Sequence, residues 1–144
     1  MSEAQLNFIE AASENSERLV SAFVGKYELN YSEESLSELD SLLEDFSDFA
    51  DQDDEEMKSD FIAQAGSYIF EVARRIYGGK YYWYDPLDQP IFVTGQPNFE
   101  ISFLAFEKIK GRIENGAEDN IPYFFKGYTE RIKNAKPGDK AMIV

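Results

Sequence analysis

The side chains in this sequence that could do chemistry are mostly carboxylates: 28 Asp and Glu stand against 14 Lys and Arg, with no Cys and no His. A Ser-His-Asp or Cys-His catalytic group cannot be built from these residues. Nor can a zinc site with Cys or His ligands. Carboxylate, lysine or tyrosine chemistry remains, or a cation held by oxygen. The run DQDDEE, residues 51–56, is the densest such place. Asp51, Asp53 and Glu55 alternate as calcium-loop ligands do. Glu56, however, stands where that loop turns on Gly, and Ile62 stands where its closing Glu belongs. The same residues have a simpler use. Asp53 or Asp54 can cap a helix, and Glu55 and Glu56 in its first turn meet the positive end of its dipole. Glu71 is a second candidate, because burial could raise its pKa into the acid–base range. Nothing in the sequence supplies a catalytic partner for it, and Arg74 and Arg75 lie at helical spacing for an ion pair. The expectation is a protein without enzymatic activity that folds with no cofactor and no metal.

Charge is unevenly spread. Residues 1–60 hold 18 acids against Arg18, Lys26 and Lys58, a net of −15. Residues 61–144 hold 10 acids against 11 bases, a net of +1. The first part would repel phosphates. In the second, Lys108, Lys110, Arg112, Arg131, Lys133, Lys136 and Lys140 alternate with Glu107, Glu114 and Glu130 rather than forming a basic stripe, so nucleic acid is not an expected partner. Glu38, Glu44, Asp45 and Asp48 lie off the leucine stripe of one predicted helix. With Asp51, Asp53, Asp54, Glu55 and Glu56 they would make an extended negative field. It reads either as a solvated face that maintains solubility or as a docking surface for a basic protein, such as a nuclease whose phosphate-binding groove it covers.

The second candidate surface is aromatic. In KYYWY, residues 80–84, strand alternation sends Tyr81 and Trp83 to one face and Tyr82 and Tyr84 to the other. One pair should enter the core; the other could remain as an interface anchor, since Trp and Tyr are enriched at binding hot spots.

These side chains need elements to hold them. Met57, Phe61, Ala65, Ile69, Val72 and Ile76 recur at steps of three or four, predicting a central helix over 55–77 that Gly78-Gly79 ends. Further apolar residues around it place it in the middle of a domain. Before it, Ser2 can cap a helix whose face holds Leu6, Ile9, Val20, Phe23 and Tyr27, with a break expected within 13–16. Ser32 can cap a second, carrying Leu36, Leu39, Leu43 and Phe46. After it, KYYWYD and IFVTG predict a hairpin, and FEI a short third strand. Ser102 is expected to cap the next helix and Gly116 to end it. Asp119 or Asn120 caps the last, with Pro122 in its first turn. AMIV at 141–144 is expected either to add an edge strand or to cover the core. The sum is an α+β fold: a mainly helical single domain over 1–144 with a small antiparallel sheet. It comprises an acidic helical part, 1–60, the central helix, 55–77, and a hairpin with helices, 80–135. No run approaches the ~18 apolar residues of a membrane span. MSEAQLNFIEAASENSE lacks the basic and apolar regions of a secretory signal. The expected location is cytoplasmic, with no membrane partner.

GSYIFEVARRIYGGKYYWY at 66–84, followed by FEKIKGRIENGAEDNIPYFF at 106–125, resembles small bacterial domains of unknown function. In these a helix ends in Gly-Gly, a Trp-bearing strand follows, and a later segment carries a basic residue before Asn-Gly and an acidic pair. The resemblance implies a fold and no catalytic residues. By size and charge the chain is also similar to bacterial immunity proteins, which neutralise toxins. The expected function is a protein-binding module, an immunity or inhibitor protein acting through an acidic and aromatic surface on a basic partner such as a toxin. The alternative is a structural or adaptor domain without enzymatic activity.

Overall fold

The longest helix, α4 (Glu55–Tyr77), spans the bounds that its sequence predicts. The Asp54 carboxylate accepts from the Met57 amide at 3.0 Å and caps it, and Gly78 ends it at φ 74°, a conformation open to glycine. Every residue from Ala65 to Ala73 is buried, so for over two turns this helix has no solvent face. Met57 and Ile76, at the ends of the predicted stripe, are 38% and 44% exposed because the helix outruns the core at both ends.

The structure, a computed structural model, describes residues 1–49 and 54–144. Ahead of α4 lie α1 (Glu3–Glu10), α2 (Ala12–Ala22) and α3 (Ser35–Phe49). Ser2 and Gln5 form a reciprocal capping box at the start of α1. The break falls at Ala11 and not within 13–16, which α2 spans without interruption; Ser16 is buried there and its hydroxyl is satisfied by the Ser13 carbonyl at 2.7 Å. Leu6, assigned to the apolar face by its spacing, is 44% exposed. Ser32 accepts from the Ser35 amide at 3.1 Å and starts α3, whose Leu36, Leu39, Leu42 and Leu43 are buried. The loop between α2 and α3 is clamped to α4 through Tyr31. Its φ of 64° is rare for a non-glycine residue. Its amide donates to the Tyr68 hydroxyl at 2.9 Å, its ring stacks on Tyr68 at 4.9 Å, and the Arg75 guanidinium lies 3.5 Å from its ring centre.

After α4 the chain forms β1 (Lys80–Tyr84), a 3-10 turn, β2 (Gln89–Thr94) and β3 (Glu100–Phe103). These three are antiparallel neighbours. Then follow α5 (Ala105–Asn115), a second 3-10 turn, α6 (Ile121–Lys133) and β4 (Lys140–Ile143). β4 lies parallel to β3, so the sheet is mixed and not the purely antiparallel one expected. The helices between β3 and β4 supply the long crossover that a parallel pair needs. AMIV thus contributes to an edge strand. That pairing also carries β3 through Phe103, so Ser102 stays in the strand, paired with Met142 and Val93, and does not cap a helix. α5 begins after Leu104 without a side-chain cap. Asn120 caps α6 by accepting from the Tyr123 amide at 2.9 Å.

The sheet's inner face and α4 meet in a set of aromatic rings. Phe70 lies 5.4 Å from Tyr81, 5.2 Å from Phe103 and 6.1 Å from Phe106, spacings at which ring edges and faces attract. Gly66 lets α5 approach: a Cβ there would lie 2.4 Å from Cδ1 of Phe106. Phe106 cannot retreat easily, since its ring also packs against Phe8 at 5.6 Å. Alanine is the better helix former by about 1 kcal/mol, yet overpacking a filled core costs ~1–3 kcal/mol. Gly66→Ala is therefore expected to lower the denaturant midpoint of unfolding. An equal or higher midpoint would show that α4 and α5 are not in this contact.

Candidate functional site

The acids singled out from sequence separate into two groups. Several are internal ties. Glu38 accepts from the Glu28 amide at 3.1 Å, and Asp45 accepts from the Tyr27 hydroxyl, which holds the α2–α3 loop. Glu44 pairs with Arg112 of α5 at 2.9 Å. Arg112 is only 2% exposed and is also gripped by both oxygens of Asp40 at 2.9 and 3.2 Å; Asp40 accepts from the Ile121 amide as well. Asp40 thus joins α3, α5 and α6, a role its sequence position did not signal. Asp54 is the cap of α4. Glu55 and Glu56, in the first turn, are exposed and have no side-chain partner among the described residues. Asp51, Asp53 and the side chain of Asp48 lie outside the described residues. Among the described residues no three carboxylates are grouped to hold a cation.

The aromatic pair divides too. Tyr81 and Trp83 share a face of β1, as alternation requires. Tyr81 goes into the core, where its ring packs against Phe70 and Phe92 and its hydroxyl donates to Glu71 at 2.9 Å. Trp83 is half-buried. Its indole N–H donates to Asp88 at 2.9 Å, and its ring meets Phe8 edge to face at 5.9 Å. Asp88 holds this bond from a left-handed backbone, φ 50°, a conformation that costs energy outside glycine. On the opposite face Tyr82 is 38% exposed and donates to Gln96 at 2.9 Å.

One of the free acids, Glu55, and the half-buried Trp83 meet in one place. A groove of about 540 Å³ runs between α1, α4, α5 and the β1–β2 hairpin. Phe8, Ile62, Trp83 and Phe106 form its apolar wall. Glu55, Asp60, Asp88 and Glu114 border it against Lys58 and Lys110, and Lys58 is engaged by Glu114 at 3.6 Å. Asp60 is exposed and has no side-chain partner among the described residues. Gln89 also lines the groove; its Nε2 donates to Glu107 while its Oε1 is buried without a partner among the described residues. The groove is therefore apolar in its wall and richer in acceptors than in donors. Glu55 and Trp83, chosen from sequence for different reasons, both line it. Phe8, Asp60 and Phe106 were missed. Asp60 could have been found four residues after Glu56 on the same helix, but Phe8 and Phe106 reach the groove only through tertiary packing.

Glu71, the candidate acid–base group, is 1% exposed. Burial opposes its ionisation, but the two-pronged bond from Arg74 at 2.9 and 2.8 Å and the Tyr81 hydroxyl outweigh it. The carboxyl is held below its usual range and is charged at neutral pH, the reverse of the shift that general acid work would need. Its neighbour Tyr81 is pushed up, by burial first and by the Glu71 charge next.

In comparisons with known proteins, no family model, curated protein or solved structure matches this chain. Among the described residues no helix is long and apolar enough to cross a membrane.

A carboxyl whose folded pKa is depressed adds stability above its unfolded pKa and loses it as pH falls through the folded value. Glu71→Gln should therefore cost about 1–3 kcal/mol at pH 7, the scale of charged hydrogen bonds. The gap from wild type should narrow below about pH 4, near the unfolded carboxyl value. Urea melts from pH 7 to 3 measure it; a gap independent of pH would contradict the ionised, bonded Glu71.

Proposed function

We propose that this chain is a protein-binding module that docks a basic protein through the acidic and aromatic surface at its groove. The observation that supports this most is the meeting of Glu55 from the acidic run and Trp83 from the aromatic strand along one groove. Around it lie exposed acids with no side-chain partner among the described residues, and residues 1–60 carry a net charge of −15. Such a field attracts a basic partner over many ångströms and speeds its encounter. The apolar wall then supplies desolvated contact, where aromatic anchors contribute most.

The specific form of the proposal is an inhibitor or bacterial immunity protein, held in the cytoplasm, that covers the functional surface of a basic toxin. An adaptor domain would use the same surface without silencing its partner. No catalytic step belongs to either reading, and Glu71, bonded on both oxygens, is given none.

The test begins with affinity capture from the source cell and purification of the captured protein. Glu28, Glu34 and Glu56 are exposed and free of side-chain partners among the described residues. Reversing all three to Lys moves the net charge of −14 by six units; surface substitutions cost about 0.5 kcal/mol or less each, and Glu56, in the first turn of α4, adds about 1 kcal/mol through the helix dipole. A basic partner is expected, with an on-rate that falls as salt rises and drops about tenfold or more in the reversal variant. For the inhibitor form, one equivalent of this protein should abolish the partner's activity. A folded variant with an unchanged on-rate would reduce the acidic surface to a solvated face.

A further inference from the structure

We infer that the groove beside Trp83 is a receptor for an arginine side chain of the docking protein. This rests on the protein-binding reading above and names the chemical group that the groove takes. The group must have a flat, weakly hydrated cationic end and an apolar stem, because the site offers aromatic rings and free acceptors together. A guanidinium is attracted to ring faces and stacks on them, and it donates five hydrogen bonds in a fixed fork. Trp83 supplies the indole, fixed by its bond to Asp88 at 2.9 Å. Glu55 and Asp60 supply exposed carboxylates with no competing side-chain partner among the described residues.

The charge balance favours a cation over an anion. Four carboxylates border the groove against two lysines, and one of those lysines is engaged by Glu114 at 3.6 Å. A carboxylate ligand would have only Lys110 to meet it and would be repelled by the others. A plain apolar side chain would leave Glu55 and Asp60 facing it without donors, at the cost of their desolvation. A lysine ammonium is a strongly hydrated point charge, less suited to the ring wall than a planar guanidinium.

Trp83 is the chain's one tryptophan, so its emission reports on the groove directly. The probe is the peptide acetyl-Gly-Leu-Arg-Arg-Leu-Gly-amide, titrated against the full chain at low salt. Companion peptides carry lysine or the neutral isostere citrulline in place of both arginines. The arginine peptide should change Trp83 emission saturably. The lysine form should bind several-fold more weakly and the citrulline form at least tenfold more weakly. Glu55→Gln with Asp60→Asn should weaken the arginine peptide about tenfold while circular dichroism and the melting temperature show the variant folded. The same variant should release the captured partner faster, and the arginine peptide should compete with that partner. Equal binding of arginine and citrulline peptides, or no change in Trp83 emission at saturating concentration, would overturn the inference. A partner whose association slows on reversal of Glu28, Glu34 and Glu56, yet ignores both the peptide and the groove variant, would overturn the arginine receptor and the groove as the docking place, leaving only the attraction of a basic protein to the acidic field. Peptide binding in the groove with no basic protein captured would do the opposite.

Discussion

A carboxylate buried in the middle of a helix is the constraint on which much of this architecture depends. Glu71 lies within the stretch from Ala65 to Ala73, where α4 has no solvent face. An uncompensated charge there would cost several kcal/mol. Arg74 reaches back one turn to take both oxygens, with its own side chain still 45% exposed, and Tyr81 comes from the next element to donate to Oε2. This arrangement compensates the charge and also ties β1 to the end of α4 across the Gly78-Gly79 turn. Once Tyr81 is committed to Glu71, strand alternation leaves no choice for Trp83, which must leave the sheet on the same face two residues on. Trp83 therefore reaches the groove from the face of β1 that Tyr81 commits to the core, where its ring packs on Phe70 and Phe92.

The acidic character of the chain has two physical uses that sequence alone does not separate. Glu33, Glu38, Asp40, Glu44 and Asp45 are acceptors for groups on other elements or on neighbouring loops: Thr129, the Glu28 amide, Arg112, the Ile121 amide and Tyr27. They hold α3 and its start against the α2–α3 loop, α5 and α6, and replacing them would act on the fold. Glu55, Glu56 and Asp60 are exposed along the first turns of α4 and remain available to a partner. The uneven charge is thus partly mortar between helices and partly a field turned outward.

Much of the fold was legible because its signals are local. The bounds of α4, its cap at Asp53 or Asp54, its glycine terminator, the hairpin and the last helix's cap at Asp119 or Asn120 depend on spacing and on residue types within a few positions; the structure takes Asp54 and Asn120. The errors arise where distant pairing decides. Ser102 has the chemistry of a cap, but β4, some forty residues later, pairs with β3 and keeps it in the strand. The same parallel pairing makes the sheet mixed. The break at Ala11 rather than within 13–16 leaves Ser13 and Ser16 inside α2, where Ser16 is buried and its hydroxyl bonds the Ser13 carbonyl. For the groove, Glu55 and Trp83 were visible as types suited to binding. Their convergence was not, because Phe8 and Phe106 arrive from opposite ends of the chain and Gly66 makes room for one of them in the middle of a helix.

Whether the Tyr81 hydroxyl, by donating to Glu71, ties β1 and with it Trp83 firmly to α4 can be tested by removing one oxygen atom. The chain has a single indole N–H, which gives one resonance in a proton–nitrogen correlation spectrum. In the wild type it should exchange slowly with solvent, held by Asp88. In Tyr81→Phe the core keeps its ring, but the tie to Glu71 is gone, so the Trp83 indole resonance should shift and its exchange quicken several-fold while the protein stays folded. An indole resonance unchanged in position and exchange rate would mean that the bond to Glu71 does not hold β1 against α4, and Glu71 would not be the constraint on which this end of the sheet depends.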